Sequence, residues 1–192
     1  MGREFELKYA ATPDVLQQIR ESVSDFTVIA METTYFDTPS RALSKRKITL
    51  RLRKENNTLV CTLKTPLPDG SRGEWECPAD SIQSGLQQLL ALGAPSQIIA
   101  LADEGLKRVC GAKFTRLAAR IDLPDGAAEL ALDQGILLGG EKQIPLCEVE
   151  IEQKSCSEAS AIAYAHALAQ QYGLRPEENS KFRRASALAQ GE

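Results

Sequence analysis

No stretch of this chain stays apolar for the roughly eighteen residues that a membrane helix needs, and its first residues lack the apolar core of a signal peptide. The sequence therefore reads as cytoplasmic, with no membrane partner. It has no excess of positive charge: 23 Lys and Arg against 26 Asp and Glu leave a net −3. That excludes a general field for duplex nucleic acid, so any anion site must come from local clustering. The cysteines (Cys61, Cys77, Cys110, Cys147, Cys156) are odd in number and show no C-x-x-C spacing. A disulfide framework is excluded, and reduced thiols are expected. Histidine is almost missing, and His166 sits in the Ala-rich stretch YAHALA with no partner for metal or proton chemistry. Internal repeats, low-complexity tracts and linkers are lacking too. At 192 residues, 43% apolar and 26% charged, the expectation is a single domain over 1–192 with its own core.

What is present is alternation. The opening EFELK sets Glu4, Glu6 and Lys8 on one face of a strand and Phe5, Leu7 and Tyr9 on the other. A helix opened by Thr12-Pro13-Asp14 follows, then a strand over 31–37. KITLRLRK and TLVCTLK flank Glu55-Asn56-Asn57 as a hairpin, and Asp69-Gly70 turns into RGEWEC. The span 80–107 reads as helical; strands resume at 112–123, pass through Pro124-Asp125-Gly126 into AELALD, and end with PLCEVEIEQK. A long helix then runs to Gly173. The sum is an α+β pattern of about eight strands and four helices.

Each strand shows a charged face opposed to an apolar one. Arg51 and Arg53 oppose Leu50 and Leu52; Thr62 and Lys64 oppose Cys61 and Leu63; Arg72, Glu74 and Glu76 oppose Trp75. Arg116, Arg120 and Asp122 align, as do Glu129 and Asp133, and then Glu148, Glu150, Glu152 and Lys154. Taken singly, each strand fits a half-solvated sheet. Together they sort into basic strands and acidic strands, while the amphipathic helices need the apolar faces to pack on. Closing the sheet into a barrel would turn the charges into the lumen. Burying them unpartnered would be prohibitive. A lumen holding water, a polyanion and a divalent metal removes the difficulty, since arginine and lysine bind phosphate and hard carboxylates suit Mg²⁺ or Mn²⁺.

These residues resemble the CYTH-domain proteins, also called triphosphate tunnel metalloenzymes, nearly end to end. The E-x-E-x-K signature is Glu4, Glu6 and Lys8; YFDT runs from Tyr35 to Thr38; L-R-x-R supplies Arg51 and Arg53; T-L-K ends at Lys64. R-x-E-x-E is Arg72, Glu74 and Glu76, the later basic strand is Arg116 and Arg120, the second E-x-E is Glu148 and Glu150, and S-K is Ser180 and Lys181. ALDQGIL followed by CEVEIE is most similar to the bacterial branch that hydrolyses inorganic triphosphate, here without the CHAD helical domain often fused to it.

The resemblance implies a closed eight-stranded antiparallel β-barrel, a triphosphate tunnel, with helices packed on its outside. It implies substrate binding by Lys8, Arg51, Arg53, Lys64, Arg72, Arg116, Arg120, Lys181 and Arg184. The implied metal ligands for Mg²⁺ or Mn²⁺ are Glu4, Glu6, Asp133, Glu148, Glu150 and Glu152. Lys8, Glu6 and Tyr35 are the implied catalytic groups, with Lys8 beside Tyr35 tuning protonation of the leaving group. The expected activity is metal-dependent hydrolysis of tripolyphosphate to pyrophosphate and phosphate. Thiamine triphosphatase, nucleoside or RNA 5′-triphosphatase, class IV adenylate cyclase and a non-catalytic polyphosphate-binding module are the alternatives. The absence of an extra aromatic cluster for stacking on a base or thiazolium favours the inorganic substrate. A homodimer stays open.

Overall fold

The computed structural model describes residues 2–68, 72–102 and 105–191. The expected Asp69-Gly70 turn and residues 103–104 of the expected helical span lie outside the described residues, and the helical part of that span stops short of 107, with helix to Leu101 and strand from Lys107. The strands are β1 (Gly2–Glu4), β2 (Glu6–Ala10), β3 (Thr27–Asp37), β4 (Thr49–Glu55), β5 (Thr58–Pro66), β6 (Arg72–Pro78), β7 (Lys107–Leu123), β8 (Gly126–Gly139), β9 (Lys142–Gln153) and β10 (Arg175–Pro176). The helices are α1 (Pro13–Ser22), α2 (Ile82–Ala91), α3 (Ser96–Leu101), α4 (Glu158–Tyr172) and α5 (Lys181–Gln190).

The strands form one antiparallel sheet in the order β1-β6-β5-β4-β3-β7-β8-β9-β2-β10. This corrects the closed eight-stranded barrel: among the described residues the sheet has ten strands and is not closed into a barrel. The physical reason lies in the first segment, which changes partner at Phe5. Gly2–Glu4 pairs with β6 and Glu6–Ala10 pairs with β9, while the Phe5 carbonyl accepts from the Gln153 N–H at 3.0 Å. No continuous ladder passes from β9 to β6, and β10 occupies the far edge of β2. The sheet curls nonetheless, because consecutive short strands lie against β6 and β9 near opposite ends of its order.

The helices start where local chemistry dictates. Thr12 caps α1 by accepting from the Val15 N–H, with Pro13 in the first turn and Asp14 at the positive end of the dipole. Ser157 accepts from the Ser160 N–H to open α4, and Gly173 closes it at φ 64°, a left-handed conformation that costs glycine little. On the convex face, α1 and α4 bury Leu16, Ile19, Ala161, Ala165 and Leu168 against Leu130, Leu132, Val149 and Ile151. Separately, Ile82, Leu86 and Leu89 of α2 cover Leu50, Cys61, Leu63 and Trp75. Each fully buried Leu or Ile contributes about 1.5–3 kcal/mol.

The last helix corrects the expectation that all helices lie outside. α5 sits on the concave face, where Ala185 joins Met31, Ala112, Phe114, Leu137 and Leu146. Gly139 makes the fit possible: a Cβ there would lie 2.5 Å from the Ala189 nitrogen and 2.7 Å from the Ala185 carbonyl oxygen. The helix fills one end of the concave space and leaves the remainder open.

Candidate active site

Inward-facing positions on β1 to β9 and the start of α5 enclose a cavity of about 350 Å³. Its basic groups are Lys8, Arg51, Arg53, Lys64, Arg72, Arg116, Lys154 and Lys181. Its carboxylates are Glu4, Glu6, Glu55, Glu74, Glu76, Glu129, Glu150 and Glu152. Eight bases thus face eight acids, and the lining is formally neutral. Ile29, Met31, Tyr35, Thr49, Ser180 and Phe182 complete it.

The two kinds of charge hold each other unevenly. On one side Lys64 ion-pairs with Glu4 and sits 3.3 Å from Glu74, while Lys8 lies 3.1 Å from Glu6. Arg51 reaches Glu74 and Glu76 only at 4.0 and 3.9 Å. Arg53 donates from Nε to Thr33 Oγ1 at 3.1 Å and approaches Glu55 at 3.6 Å. Burial and the neighbouring Arg51 charge pull its pKa down to about 10. Arg72 spans Thr49 Oγ1 at 3.2 Å and the Lys47 carbonyl at 3.4 Å. The Nε groups of Arg51 and Arg72 are buried with no hydrogen-bond partner among the described residues. Leaving such a donor unmade costs about 1–3 kcal/mol each, more for a charged group. A phosphate oxygen would fill either one.

Behind the cavity floor the pairs are tight. Asp133 accepts from Arg116 Nε and Nη2 at 2.8 and 2.7 Å and lies 2.8 Å from Lys181 Nζ. Lys181 also reaches Glu150 at 2.7 Å and ion-pairs with Glu148, which Arg184 holds from the other side. Arg184 reaches Glu177 at 3.6 Å as well. Burial works against the Lys181 charge, but Glu150, Asp133 and Glu148 outweigh it and its pKa is raised. Burial likewise opposes the Glu150 carboxylate, yet Lys181 and Arg116 hold its pKa well below the usual range. Glu148 goes the other way: burial dominates and raises it.

Of the residues singled out from sequence, the cavity brings together Glu4, Glu6, Lys8, Tyr35, Arg51, Arg53, Lys64, Arg72, Arg116, Glu150, Glu152 and Lys181. It does not bring in four others. Asp133 and Glu148 are wholly buried behind the floor, and Arg184 turns to Glu148 and Glu177 instead. Arg120 is exposed and pairs with Asp122 at 2.8 Å. Tyr35 is buried, its ring 5.1 Å from Phe182. Asp37 of the YFDT segment does not line the cavity; its carboxylate accepts from the Thr38, Leu43 and Ser44 N–H groups and shapes the loop before β4.

Sequence reasoning turned Glu74, Glu76, Glu129 and Lys154 into the lumen without giving them a role, and left Thr49, Glu55 and Phe182 out of the site. Strand parity carried the signal, for Thr49 and Glu55 share a face with Arg51 and Arg53. Phe182 had none, because nothing local says that α5 turns inward.

A family model for the CYTH domain matches residues 2–186. The chain belongs to the CYTH-domain family. This CYTH chain is 31% identical over 165 residues to an inorganic triphosphatase of Haemophilus influenzae, a match covering 81% of the chain. It spans only 46% of that relative's length. Among solved structures it resembles HpAC1 from Hippeastrum, reported to have a dominant triphosphatase activity, with a TM-score of 0.70 at 22% identity over 98% of this chain and 96% of that one. PH1819 from Pyrococcus horikoshii OT3 gives 0.65 at 21% identity over 98% and 99%. Both likenesses are those of the fold.

Proposed function

We propose that this protein hydrolyses inorganic triphosphate to pyrophosphate and phosphate with the help of a divalent metal. The observation that carries the reading is the balanced lining of eight bases and eight carboxylates, two of whose arginines keep a buried Nε unfilled. A polyanion alone would leave such a cavity strongly negative; a polyanion arriving with divalent cations would not. The triphosphatase relative supports the same choice of substrate.

The donor set fits a hard cation. Glu6 and Glu152 stand directly opposite across β2 and β9, and Glu152 stands opposite Glu129 across β9 and β8. Opposed like charges are destabilising; Lys154, 2.8 Å from Glu152 and 3.9 Å from Glu129, and Lys8, 3.1 Å from Glu6, offset part of that repulsion, and a divalent cation would offset more. Glu4, Glu6, Glu150 and Glu152 would hold Mg²⁺ or Mn²⁺, with carboxylate oxygens as ligands. Asp133 and Glu148 lie behind the cavity floor, where Arg116, Lys181 and Arg184 meet their charges, and in this reading they hold those cations in place; Glu150 shares Arg116 and Lys181 with them but alone of the three lines the cavity. When bound, the metal supplies charge neutralisation and Lewis acidity at the phosphates.

The chain's own groups do the rest. Arg51, Arg53, Lys64 and Arg72 grip the non-reacting phosphates through charge-assisted hydrogen bonds. Lys181 and Arg116, fixed by Asp133, meet the charge that develops on the transferring group. Lys8 stands across β2 and β9 from Glu150 and offers an ammonium proton to the leaving oxygen. No side-chain nucleophile is required.

A phosphate-release panel over tripolyphosphate, longer polyphosphate, ATP and thiamine triphosphate, with Mg²⁺, Mn²⁺ and EDTA, tests this. Fastest turnover of tripolyphosphate, abolished by EDTA, is expected. Undiminished turnover in EDTA would sink the metal dependence. Cyclic AMP and pyrophosphate from ATP would replace the reading with a cyclase, and tight binding without turnover would leave a polyphosphate-binding module.

A further inference from the structure

The loop between β3 and β4 carries a concentration of positive charge that the cavity chemistry does not use. Arg41, Lys45, Arg46 and Lys47 fall within seven residues that contain no carboxylate, in a chain whose net charge is −3. Lys107 and Arg108 lie beside them, opposite Asp37 and Phe36 in the β3–β7 register. Lys45, Arg46, Lys47, Lys107 and Arg108 are all exposed. No ion pair within 4.0 Å involves any of these six among the described residues, whereas most bases inside the cavity have a carboxylate partner.

The loop is built rather than loose. The buried Asp37 carboxylate accepts three backbone N–H groups, from Thr38 at 2.7 Å, Leu43 at 2.9 Å and Ser44 at 3.0 Å. Thr38 Oγ1 accepts from the Ala42 N–H at 2.9 Å, and Leu43 is 1% exposed, pinned in the apolar cluster under α2. A 3₁₀ turn over Ser44–Arg46 then leads to Lys47 in the left-handed region at φ 58°. A positive φ on a non-glycine residue is a local cost that the loop's hydrogen bonds hold in place.

The loop also runs into the cavity. Lys47 precedes the cavity residue Thr49 by two positions, at most about 7 Å of chain. Arg72 ties the two together by donating to both the Lys47 carbonyl and Thr49 Oγ1. The backbone of the basic loop is therefore joined to the cavity wall at Arg72 and Thr49, two residues of chain from Lys47.

We propose that this loop is an exosite for the outer part of a linear polyphosphate chain whose terminal phosphates occupy the cavity. The assignment rests on the triphosphate reading of that cavity. A polyphosphate fits better than a nucleic acid because residues 38–48 contain no aromatic side chain on which a base could stack. A repeating anion needs only the cations, and its affinity there is electrostatic and weakened by salt.

The test compares binding of tripolyphosphate and of a fractionated long-chain polyphosphate to the full chain, in EDTA and with Mg²⁺, for the wild type and for Lys45→Ala/Arg46→Ala. The wild type is expected to bind the long chain about tenfold more tightly than tripolyphosphate. The double variant should lose most of that preference while its KM for tripolyphosphate stays unchanged. If the long chain binds no more tightly than tripolyphosphate, or if the double variant keeps the preference, the exosite is overturned while the cavity reading stands. If only the long chain binds, and binding depends on Lys45 and Arg46, the loop is a polyphosphate site by itself, and both the cavity reading and the exosite that depends on it are overturned. Failure of both ligands to bind removes both. A triphosphorylated RNA competing better than polyphosphate would also overturn the choice of ligand.

Discussion

Asp133 shows how much depends on single charges inside this sheet. It is wholly buried and holds Arg116 and Lys181 at once, so Asp133→Ala would leave two cations short of a partner in a low-dielectric floor. A loss of about 3–5 kcal/mol is expected, measured by urea unfolding. Asp133→Glu should recover part of it. Glu150 makes a pH-dependent contribution whose sign follows from its depressed pKa. The stability it adds is fully present above its ordinary value of 4.5 and is lost as pH falls through the lower folded value. The difference in stability between wild type and Glu150→Gln should accordingly be flat above pH 4.5 and shrink below it. Urea melts from neutral to acid pH would show this; a difference that grows on acidification would contradict the arrangement of Lys181 and Arg116 around that carboxylate.

Among the elements, α5 is the one on which the site turns. Ser180 caps it by accepting from the Arg183 N–H at 3.1 Å, and Gly139 lets its backbone close on β8. Gly139→Ala should cost about 1–3 kcal/mol, because the contact is with backbone that cannot rotate away. It should also displace Lys181 and raise the KM for tripolyphosphate more than a Ser180→Ala cap deletion does. A melt and a KM measured on both variants check this. The strands were legible in the sequence because a period of two exposes both faces: LRLR, TLVCTLK and CEVEIE each declare which residues turn inward. The helices α1, α2 and α4 were legible from their caps and apolar stripes. α5 was not. KFRRASALAQ carries no local sign of lying on the concave side, since that follows from the room left by Gly139, Ala112 and Leu137 on three distant strands. For the same reason Arg184 read as a phosphate ligand, although its guanidinium is taken up by Glu148 and Glu177. The break at Phe5 was equally hidden, because pairing partners are a property of the whole sheet.

For the molecule as a whole, the cavity stores repulsion. Glu6 opposes Glu152 and Glu152 opposes Glu129, offset in part by Lys8 and Lys154, while Arg51 and Arg53 share the facing wall with carboxylates no nearer than 3.6 Å. A cation relieves one wall and a polyanion the other, so the two together should stabilise the fold more than either does separately. A ligand specific to the native state at a hundredfold excess over its Kd adds about 2.7 kcal/mol. Thermal melts with Mg²⁺, with tripolyphosphate and with both should show the combined shift exceeding the larger single one. Equal melting temperatures in all conditions, for a folded protein, would refute a shared cavity.

The partner change at Phe5 also sets a clock. β1 meets β6 through only the three register pairs Gly2–Glu74, Arg3–Gly73 and Glu4–Arg72, whereas β7 and β8 are paired over thirteen. Amides along so short a seam open locally long before the sheet does. In deuterated water, the short β1–β6 and β2–β10 seams should exchange early and the β7–β8 amides last, near the rate of global unfolding. Glu4, clasped by Lys64 across that seam, would ride on the part of the wall that parts and re-forms most often.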